Sequence, residues 1–196
     1  MAVISNGNKD RLRKDALFKR SLIKNSVVEN NSRLIGENLF KNFDFTELNT
    51  HLFYPISKNK EVNTWEIHEE LKEKNKIYTS IYLEETKAWS CSSFDPKTEF
   101  EIGKFNIPFP LTYKKAKYLD LEIIMVPLLI FDLNGHRIGY GKGIYDDILS
   151  KLNKNCIKIG LSLLEFSEEK IEFEPHDIGL DYCQTPTTLH DFKLNP

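Results

Sequence analysis

The stretch from Asp120 to Leu149 constrains the fold of this chain more than any other part. Its first portion, Leu121 to Val126, is almost wholly apolar and rich in β-branched residues. A short apolar run of this kind is typical of a strand buried on both faces, as in a parallel sheet. Pro127 ends the regular pairing, because proline has no N–H to donate to a neighbouring strand.

A glycine-rich loop follows this predicted strand, after a turn at Asn134-Gly135. Glycines let a backbone approach a ligand closely and turn several N–H groups towards it. The loop leads into a helix that is predicted to begin near Ile144, and a helix N-terminus adds partial positive charge. The loop therefore predicts a phosphate-binding site. Its alternating glycines are Gly139, Gly141 and Gly143.

Charged residues in and beside the loop strengthen the phosphate interpretation. Arg137 and Lys142 can supply full positive charges, and Asp146 can hold a metal ion that bridges phosphates. The motif is neither Walker A nor GxGxxG, because Gly143 follows the lysine and Ile144 occupies a third-glycine position. A tight structural loop with incidental charges is the alternative interpretation.

Length and composition indicate a soluble globular protein. The 196 residues suit one domain, 1–196, in which we expect residues 1–8 to be a loose terminus. The net charge of −2 gives no general attraction to nucleic acid or to anionic membrane. No apolar run approaches the roughly 20 residues of a membrane span, and the first residues lack the apolar core of a signal peptide. We therefore expect neither a nucleic-acid nor a membrane partner.

The cysteines and histidines argue against a metal-thiolate or disulfide framework. Cys91, Cys156 and Cys183 are far apart and odd in number, which fits reduced, buried thiols in the cytoplasm. No second histidine stands at ligand spacing from His176, and a lone loop histidine is more often a hydrogen-bonding or surface group. We therefore expect a cytoplasmic protein, and we expect it to be a monomer.

Hydrophobic periodicity predicts an α/β three-layer fold with a mainly parallel sheet, helices on both faces and an attached antiparallel hairpin. The hairpin is expected from Lys87–Phe94 and Thr98–Ile102, which alternate polar and apolar residues. Helices are predicted from Lys9 to about Lys24, after Ser26 with a capping box to Glu29, from about Thr64 to Lys74 with a capping box between Asn63 and Glu66, and from Ile144. Further strands are predicted at Thr50–Tyr54, Lys76–Leu83 and Cys156–Leu164.

The predicted first helix is strongly basic. Most of its charges are expected to form a solvated face, and the lack of interleaved aromatic residues argues against a nucleic-acid-binding arm. Lys9 and Arg13 stand four residues apart, which puts them on one helical face. The basic residues are Lys9, Arg11, Arg13, Lys14, Lys19, Arg20 and Lys24.

The central stretch resembles the signature of the 5-formyltetrahydrofolate cyclo-ligase family. The chain departs from the usual family pattern at Ile144, where a first tyrosine is usual, and at Leu128, where glycine is usual. The resemblance extends from Lys9 to Pro186. The residues that carry it are Pro127, Phe131-Asp132, Gly135, Arg137, Gly139-Tyr140-Gly141-Lys142-Gly143 and Tyr145-Asp146.

The resemblance implies an enzyme that converts 5-formyltetrahydrofolate and MgATP to 5,10-methenyltetrahydrofolate, ADP and phosphate. Phosphorylation of the N5 formyl oxygen makes it a good leaving group, N10 then attacks the formyl carbon, and phosphate leaves. Phosphoryl transfer needs positioning and charge neutralisation more than a nucleophilic side chain. This agrees with the absence of any recognisable Ser/His/Asp or Cys/His arrangement in the sequence.

The resemblance also implies roles for individual residues. Arg137 and Lys142 would stabilise the transferring phosphoryl group, and Asp146 and Asp177 would hold Mg²⁺. The folate side would be lined by Ile56, Glu61, Phe105, Tyr140 and Tyr145, although Glu61 alone is typical of a loop charge and Phe105 alone of a core aromatic. The ATP-binding residues would be Lys9, Arg13, Arg137, Ile138, Gly139, Tyr140, Gly141, Lys142, Gly143, Ile144 and Tyr145.

Other functions stay open at this point. One is an ATP-dependent enzyme of another substrate class on the same scaffold, which Ile144 in place of tyrosine keeps plausible. Another is a non-catalytic nucleotide- or phosphate-binding module, against which the acid directly after the glycine loop argues. An RNA-binding protein that uses the basic first helix fits poorly with the net charge.

Overall fold

A computed structural model describes residues 6–73 and 76–193 of the chain. In this range it contains four α-helices, twelve strands and three short 3₁₀ turns. The helices are α1 (Asn6–Leu22), α2 (Asn25–Asn42), α3 (Trp65–Leu71) and α4 (Ile144–Ser150). The strands are β1 (Asn49–His51), β2 (Lys76–Leu83), β3 (Ala88–Ser93), β4 (Phe100–Ile102), β5 (Pro108–Pro110), β6 (Lys114–Lys115), β7 (Ile123–Pro127), β8 (Ile130–Phe131), β9 (Arg137–Ile138), β10 (Ile157–Leu161), β11 (Tyr182–Gln184) and β12 (Leu189–Asp191).

Eight strands form one sheet in the order β12-β11-β10-β7-β1-β2-β3-β6. The five central strands, from β11 to β2, are parallel. At the edges the pairings are antiparallel: β12 with β11, β3 with β2, and β6 with β3. The predicted mainly parallel sheet is therefore confirmed. The predicted central strand is β7, whose residues Ile123–Val126 are all buried and which ends at Pro127 as predicted.

Helices cover both faces of the sheet, also as predicted. Because side chains alternate along a strand, Ile123 and Met125 of β7 pack in one core cluster with residues of α2 and α3. Ile124 and Val126 face the other way, into a cluster with residues of α4. A third, smaller cluster joins α1 to the two-stranded ribbon β8–β9.

The antiparallel hairpin forms with partners that differ from those predicted. The segment predicted as its first strand is β3, which pairs with β2 in the large sheet, so that Trp89 lies opposite Tyr82. The second segment, β4, pairs instead with β5 as a separate ribbon. Alternation of polar and apolar residues indicates that a segment is a strand, but it carries no information on which edge accepts it.

Several predicted termini were wrong in detail. The structure starts α1 at Asn6, so residues 6–8 are helical and the rest of the predicted loose terminus, residues 1–5, lies outside the described range. The N-cap of α2 is Lys24, and no side-chain capping bond forms there. Ser26 lies inside the helix, so the predicted capping box between Ser26 and Glu29 is wrong. Asn63 accepts the Trp65 N–H at 3.2 Å, but the N-cap of α3 is Thr64 and no side-chain capping bond forms there, so the predicted capping box between Asn63 and Glu66 is wrong. That helix ends at Leu71, and the predicted end at Lys74 lies outside the described residues.

The cysteines behave as predicted in the described part of the chain, where all three are buried free thiols. Burial raises the pKa of the Cys91 and Cys156 thiols to about 12, which leaves them protonated and unreactive. Among the helices of residues 6–73 and 76–193, none is long and apolar enough to cross a membrane.

Candidate active site

One cavity of about 620 Å³ lies at the carboxyl ends of β1 and β7, where open α/β sheets bind their ligands. Its walls come from the first half of α1, the loop after β1, the glycine loop, the tip of the β4–β5 ribbon and the loop 174–177. Every candidate site residue from the sequence lines this cavity. They are Lys9, Arg13, Ile56, Glu61, Phe105, Arg137, Ile138, Gly139, Tyr140, Gly141, Lys142, Gly143, Ile144, Tyr145, Asp146 and Asp177.

The glycine loop presents open backbone to the cavity. Gly141 has a φ of +82° and Gly143 a φ of +64°, a region that side chains disfavour. A Cβ on Gly139 or Gly143 would meet nothing within 4 Å, so a ligand can reach the backbone there. At Gly141 the missing side chain leaves room for Arg13, whose guanidinium carbon lies 3.1 Å from the position of a Cβ. Arg13 Nε donates a hydrogen bond to the Gly139 carbonyl at 3.0 Å.

Two candidate phosphate-binding cations pair with the two candidate metal-binding acids. Arg137 donates to Asp146 Oδ1 at 2.6 Å. Lys9 Nζ lies 2.5 Å from Asp177 Oδ2 and 2.8 Å from Glu174 Oε2. Burial disfavours the charge of Lys9, but its hydrogen bonds to the two acids outweigh burial and raise its pKa. Burial likewise works against the charge of Asp177, but the bond from Lys9 prevails and lowers the pKa of that carboxyl.

The acids of this region suit a hard cation. Glu174, His176 and Asp177 offer ligand atoms within 4.8 Å of one another. Carboxylate oxygens are the ligands that Mg²⁺ prefers, and Asp146 lines the same cavity. His176 has a side chain that is 71% exposed and lies 3.8 Å from Glu174, which agrees with its prediction as a surface group. The donor set therefore fits a magnesium ion bound through carboxylates.

A buried carboxylate lies on the opposite wall. Glu61 is 7% exposed, and its Oε2 accepts the N–H of Ile56 at 2.7 Å. Burial raises the pKa of Glu61, while the bonds from Ile56 and the Tyr140 hydroxyl and the charge of Arg20 oppose that rise. Burial also raises the pKa of the neighbouring Tyr145 hydroxyl, which stays protonated. Glu61 is thus a fixed part of the cavity and not the plain loop charge that its sequence context alone suggests.

Aromatic rings form the third wall. Phe105 is 37% exposed and has a φ of +63°, a rare conformation for a bulky residue. Its ring lies 5.5 Å from that of Tyr82 and 6.2 Å from that of Trp89, between centroids. Lys142 Nζ lies 4.2 Å from the Phe105 centroid, a cation–π contact across the cavity. The alternative of a core aromatic is therefore wrong for Phe105.

A sequence profile of the 5-formyltetrahydrofolate cyclo-ligase family matches residues 5–186. The chain belongs to this family. It is 40% identical over 81 residues to the 5-formyltetrahydrofolate cyclo-ligase of Mycoplasma genitalium, over 41% of this chain and 48% of that protein. It is 35% identical over 108 residues to the probable 5-formyltetrahydrofolate cyclo-ligase of Schizosaccharomyces pombe, over 47% and 52% of the two chains. The chain thus spans about half the length of these curated relatives.

Two solved structures of other proteins have the same fold as this chain. The NMR structure of Aquifex aeolicus 5,10-methenyltetrahydrofolate synthetase matches with a TM-score of 0.80 at 24% identity, and covers 94% of this chain and 93% of that one. The 5,10-methenyltetrahydrofolate synthetase of Mycoplasma pneumoniae matches with a TM-score of 0.69 at 18% identity, over 91% and 99% of the two chains. At these identities the likeness concerns the fold.

Sequence reasoning missed two charged residues beside the cavity of this cyclo-ligase-family chain. Glu174 is not among the predicted site residues, yet it shares Lys9 with Asp177. Arg20 was assigned to the solvated face of α1, but it is 2% exposed. A signal for Arg20 existed, because it follows the buried Ala16 by four residues and Arg13 by seven, which puts all three on one helical face.

Proposed function

We propose that this chain is a 5-formyltetrahydrofolate cyclo-ligase, which uses MgATP to convert 5-formyltetrahydrofolate to 5,10-methenyltetrahydrofolate. Family membership supports the reaction class. The observation that carries the proposal is geometric: residues from five separate parts of the chain, each implied by the family signature, line a single cavity. A cavity of about 620 Å³ is within the range that small-molecule sites occupy.

The reaction proceeds in two stages, in which two bonds form and three break. The N5 formyl oxygen attacks the γ-phosphorus of ATP, and the bond from that phosphorus to the bridging oxygen of ADP breaks. N10 then attacks the formyl carbon, and the carbon–oxygen bond to phosphate breaks as N10 gives up its proton. Both stages develop negative charge on phosphate oxygens, which positioned cations stabilise.

On the ATP side, an exchange of partners accounts for the ion pairs of the cavity. Arg137 and Lys9 would turn from Asp146 and Asp177 to phosphate oxygens, which leaves the two carboxylates to hold the metal. Mg²⁺ held by Asp146 and Asp177 would supply positive charge that neutralises part of the charge of the phosphates. Two further cations would contact the phosphates. They are Arg13, which is hydrogen-bonded to the Gly139 carbonyl, and Lys142.

On the folate side, Glu61, Ile56, Tyr140, Tyr145 and Phe105 form the surface that would meet the substrate. Glu61 offers a carboxylate to ring N–H groups, and Ile56 and Phe105 offer apolar faces against which a flat ring packs. Exclusion of water by this wall strengthens the electrostatic interactions at the reacting formyl group.

A second candidate is an ATP-dependent enzyme that acts on another formylated or acylated substrate. Ile144 favours it, because this residue lines the cavity at a position where the family usually has an aromatic ring. Loss of an aromatic contact changes which ring systems the pocket accepts. The two candidates share the ATP side and differ only in the substrate.

We further infer a single domain over residues 1–196 that acts in the cytoplasm as a monomer. The two main core clusters support one domain, since both pack on β7. The buried free thiols support a reducing compartment. Size-exclusion chromatography with light scattering tests the monomer, which at 22.9 kDa gives one peak of that mass.

The experiment that tests the function is an absorbance assay at the methenyltetrahydrofolate band. Purified protein is mixed with 5-formyltetrahydrofolate and ATP, with and without Mg²⁺. A rise that requires enzyme, ATP and Mg²⁺ is expected. A flat trace with folded protein that still releases ADP from MgATP with another acylated substrate would instead establish the second candidate.

A further inference from the structure

Arg20 is a buried guanidinium beside the cavity whose contacts are unusual. It is 2% exposed and takes part in no ion pair with a carboxylate among the residues that the structure describes. One terminal nitrogen donates to the Leu128 carbonyl, and the other donates to the Tyr140 hydroxyl at 3.3 Å. Its Nε is buried without a hydrogen-bond partner in the described chain.

A buried cation destabilises a fold unless an opposite charge or a set of acceptors balances it. For Arg20 the opposite charge is that of Glu61, which is 7% exposed. The Tyr140 hydroxyl interacts with both: it accepts a hydrogen bond from Arg20 at 3.3 Å, and its interaction with Glu61 opposes the rise in the pKa of that carboxyl. The pair is therefore coupled through a tyrosine that lines the cavity, and not through direct contact.

A second connection holds the Glu61 loop to the same end of α1. Lys60, directly before Glu61, has a φ of +49°. Its ammonium group donates to the Ser21 carbonyl at 2.7 Å and to the Ile23 carbonyl, where α1 ends. Because Ser21 directly follows Arg20, these hydrogen bonds hold the Glu61 loop beside the part of α1 that carries the Arg20 guanidinium.

We propose that Arg20 is a positioning residue of the substrate site: it orients the Tyr140 hydroxyl towards Glu61 and balances the charge of the Glu61 carboxylate from behind the wall of the cavity. This inference depends on the proposed function in one respect, namely that Glu61 contacts the substrate. It makes α1 a shared support of both halves of the cavity, with Lys9 and Arg13 on the phosphate side and Arg20 on the folate side.

The proposal predicts how Glu61 titrates. The groups that face it are Arg20 from α1, the Ile56 N–H from its own loop, and the hydroxyls of Tyr140 and Tyr145. Burial raises the pKa of Glu61, and Arg20 is the one full positive charge in this set that opposes the rise. Removal of the guanidinium therefore raises this pKa further, so that the carboxylate takes up a proton at a higher pH.

The first test measures this titration directly and needs no turnover. The ¹³C carboxyl resonance of Glu61, identified by its loss in Glu61→Gln, is followed against pH in the wild type and in Arg20→Met. The midpoint is expected to rise by about one pH unit or more in Arg20→Met. Arg11→Met is the matched control, because Arg11 lies on the same helix with an exposed side chain that pairs with Asp15 and Glu169. An unchanged Glu61 midpoint in Arg20→Met would overturn the proposal.

A second variant separates the effect of the Arg20 charge from its effect on the orientation of Tyr140. It also provides a test if Arg20→Met does not fold. Arg20→Lys keeps the charge but lacks the planar fork that reaches both Leu128 and Tyr140. We expect a Glu61 midpoint close to that of the wild type, with a several-fold lower kcat/KM for 5-formyltetrahydrofolate at every pH. A midpoint in the lysine variant that rises far above the wild type would contradict the charge-balancing role.

Kinetics then connect the titration to the substrate. On the acidic limb of the pH profile, a one-unit rise of the midpoint lowers kcat/KM for 5-formyltetrahydrofolate by about a further tenfold in Arg20→Met, and at high pH the loss shrinks to the several-fold loss expected for Arg20→Lys. The KM for ATP is expected to stay unchanged. An equal loss at all pH values, or a parallel loss of ATP affinity, would mean that Arg20 only stabilises the fold. If the wild type turns over no folate, the proposed function fails, whereas the NMR titration still decides the role of Arg20.

Discussion

Lys142 differs from the other cations of the cavity in what it contacts. Lys9 and Arg137 pair with acids, and Arg13 bonds to the Gly139 carbonyl. The Lys142 ammonium instead lies over the Phe105 ring, and no ion pair links it to a carboxylate within residues 6–73 and 76–193. An exposed cation–π contact is worth only about 0.5–1 kcal/mol. Lys142 can therefore move to a phosphate at small cost.

The site assignment predicts a large loss of activity without a loss of fold when Lys142 is truncated. Lys142→Ala and Asp146→Asn are each expected to lower turnover by roughly 100- to 1,000-fold or more, because the first removes a positive charge that would stabilise the transferring phosphoryl group and the second removes a carboxylate that would hold Mg²⁺. The melting temperature is expected to stay close to that of the wild type, since both residues lie at the surface of the cavity. Lys154→Ala, an exposed lysine after α4, is the control. An active Lys142→Ala enzyme would show that the phosphate site lies elsewhere.

His51 gives the fold a specific dependence on pH. It is fully buried in β1, and its Nε2 lies 2.8 Å from Ser80 Oγ, which in turn lies 2.9 Å from the Tyr118 hydroxyl. Burial lowers the pKa of His51 to about 3, against 6.5 in the unfolded chain. Between these values the unfolded state binds more protons, so the folded state loses stability as the pH falls below 6.5.

His51→Gln removes this contribution. From pH 7 to pH 5 we expect the free energy of unfolding to fall by about 2 kcal/mol less in the variant than in the wild type, because glutamine binds no proton. Urea denaturation at closely spaced pH values measures the difference. Plots of the free energy of unfolding against pH should run parallel for the two proteins above about pH 7.5. Parallel curves down to pH 5 as well would contradict a neutral, buried His51.

At the scale of secondary-structure elements, the sheet is tightly packed where β10 passes β11. Gly160 of β10 lies opposite Cys183 of β11. A Cβ on Gly160 would come within 2.6 Å of side-chain carbons of both Leu128 and Leu180, and within 3.2 Å of Cys183 Sγ. Glycine at this position therefore allows the loop after β7 and the segment before β11 to close over the strand.

Gly160→Ala is expected to destabilise the protein by about 1–3 kcal/mol, the usual cost of overpacking a well-packed core. The free energy of unfolding from urea denaturation measures this loss. Gly7→Ala, near the start of α1, is the control, because a Cβ there meets nothing within 4 Å. A Gly160→Ala protein as stable as the wild type would mean that Leu128 and Leu180 repack without strain.

Local sequence patterns predicted individual strands and helices better than they predicted which strands pair with each other. The bounds of β2, Lys76–Leu83, and the start of α4 at Ile144 agree with the sequence prediction, because apolar runs and glycine signals are local. The same reasoning paired β3 with β4, whereas the structure pairs β3 with β2. Partner choice depends on which edge and which face are available, and a single segment does not encode either.

For the whole molecule, the cavity is the point at which remote parts of the chain meet. Lys9 and Asp177 are separated by 168 positions and lie in direct contact. The chain leaves β1 and β7 at the same edge of the sheet, because these strands are adjacent and parallel, and the segment after β7 leads through the β8–β9 ribbon to the glycine loop. A ligand that contacts all these parts should therefore stabilise the entire fold.

MgATP is expected to raise the melting temperature of the wild type in a concentration-dependent way, by the equivalent of about 2.7 kcal/mol at one hundred times its Kd. Differential scanning fluorimetry over a series of MgATP concentrations measures the rise. Arg13→Ala should lose most of it, because the guanidinium links α1 to the glycine loop, while Arg33→Ala on the exposed face of α2 should keep it. An equal rise in both variants would contradict the assignment of the ATP side.

The sequence by itself determined the parts of this protein that depend on local order. The buried strand, the glycine loop and the helix after it are contiguous, and their residue types alone point to a phosphate site and to the family. The candidate residues between Arg137 and Asp146 follow from that stretch itself, and those outside it follow only through the resemblance.

The tertiary structure alone decided how these parts are charged and held. Arg20 is a basic residue like its neighbours in the sequence, and only packing against β7 and the glycine loop buries it and couples it to Glu61. Likewise, only the folded chain pairs Lys9 with Asp177. Burial and ion pairing arise from contacts between residues remote in sequence, and no local pattern specifies those contacts.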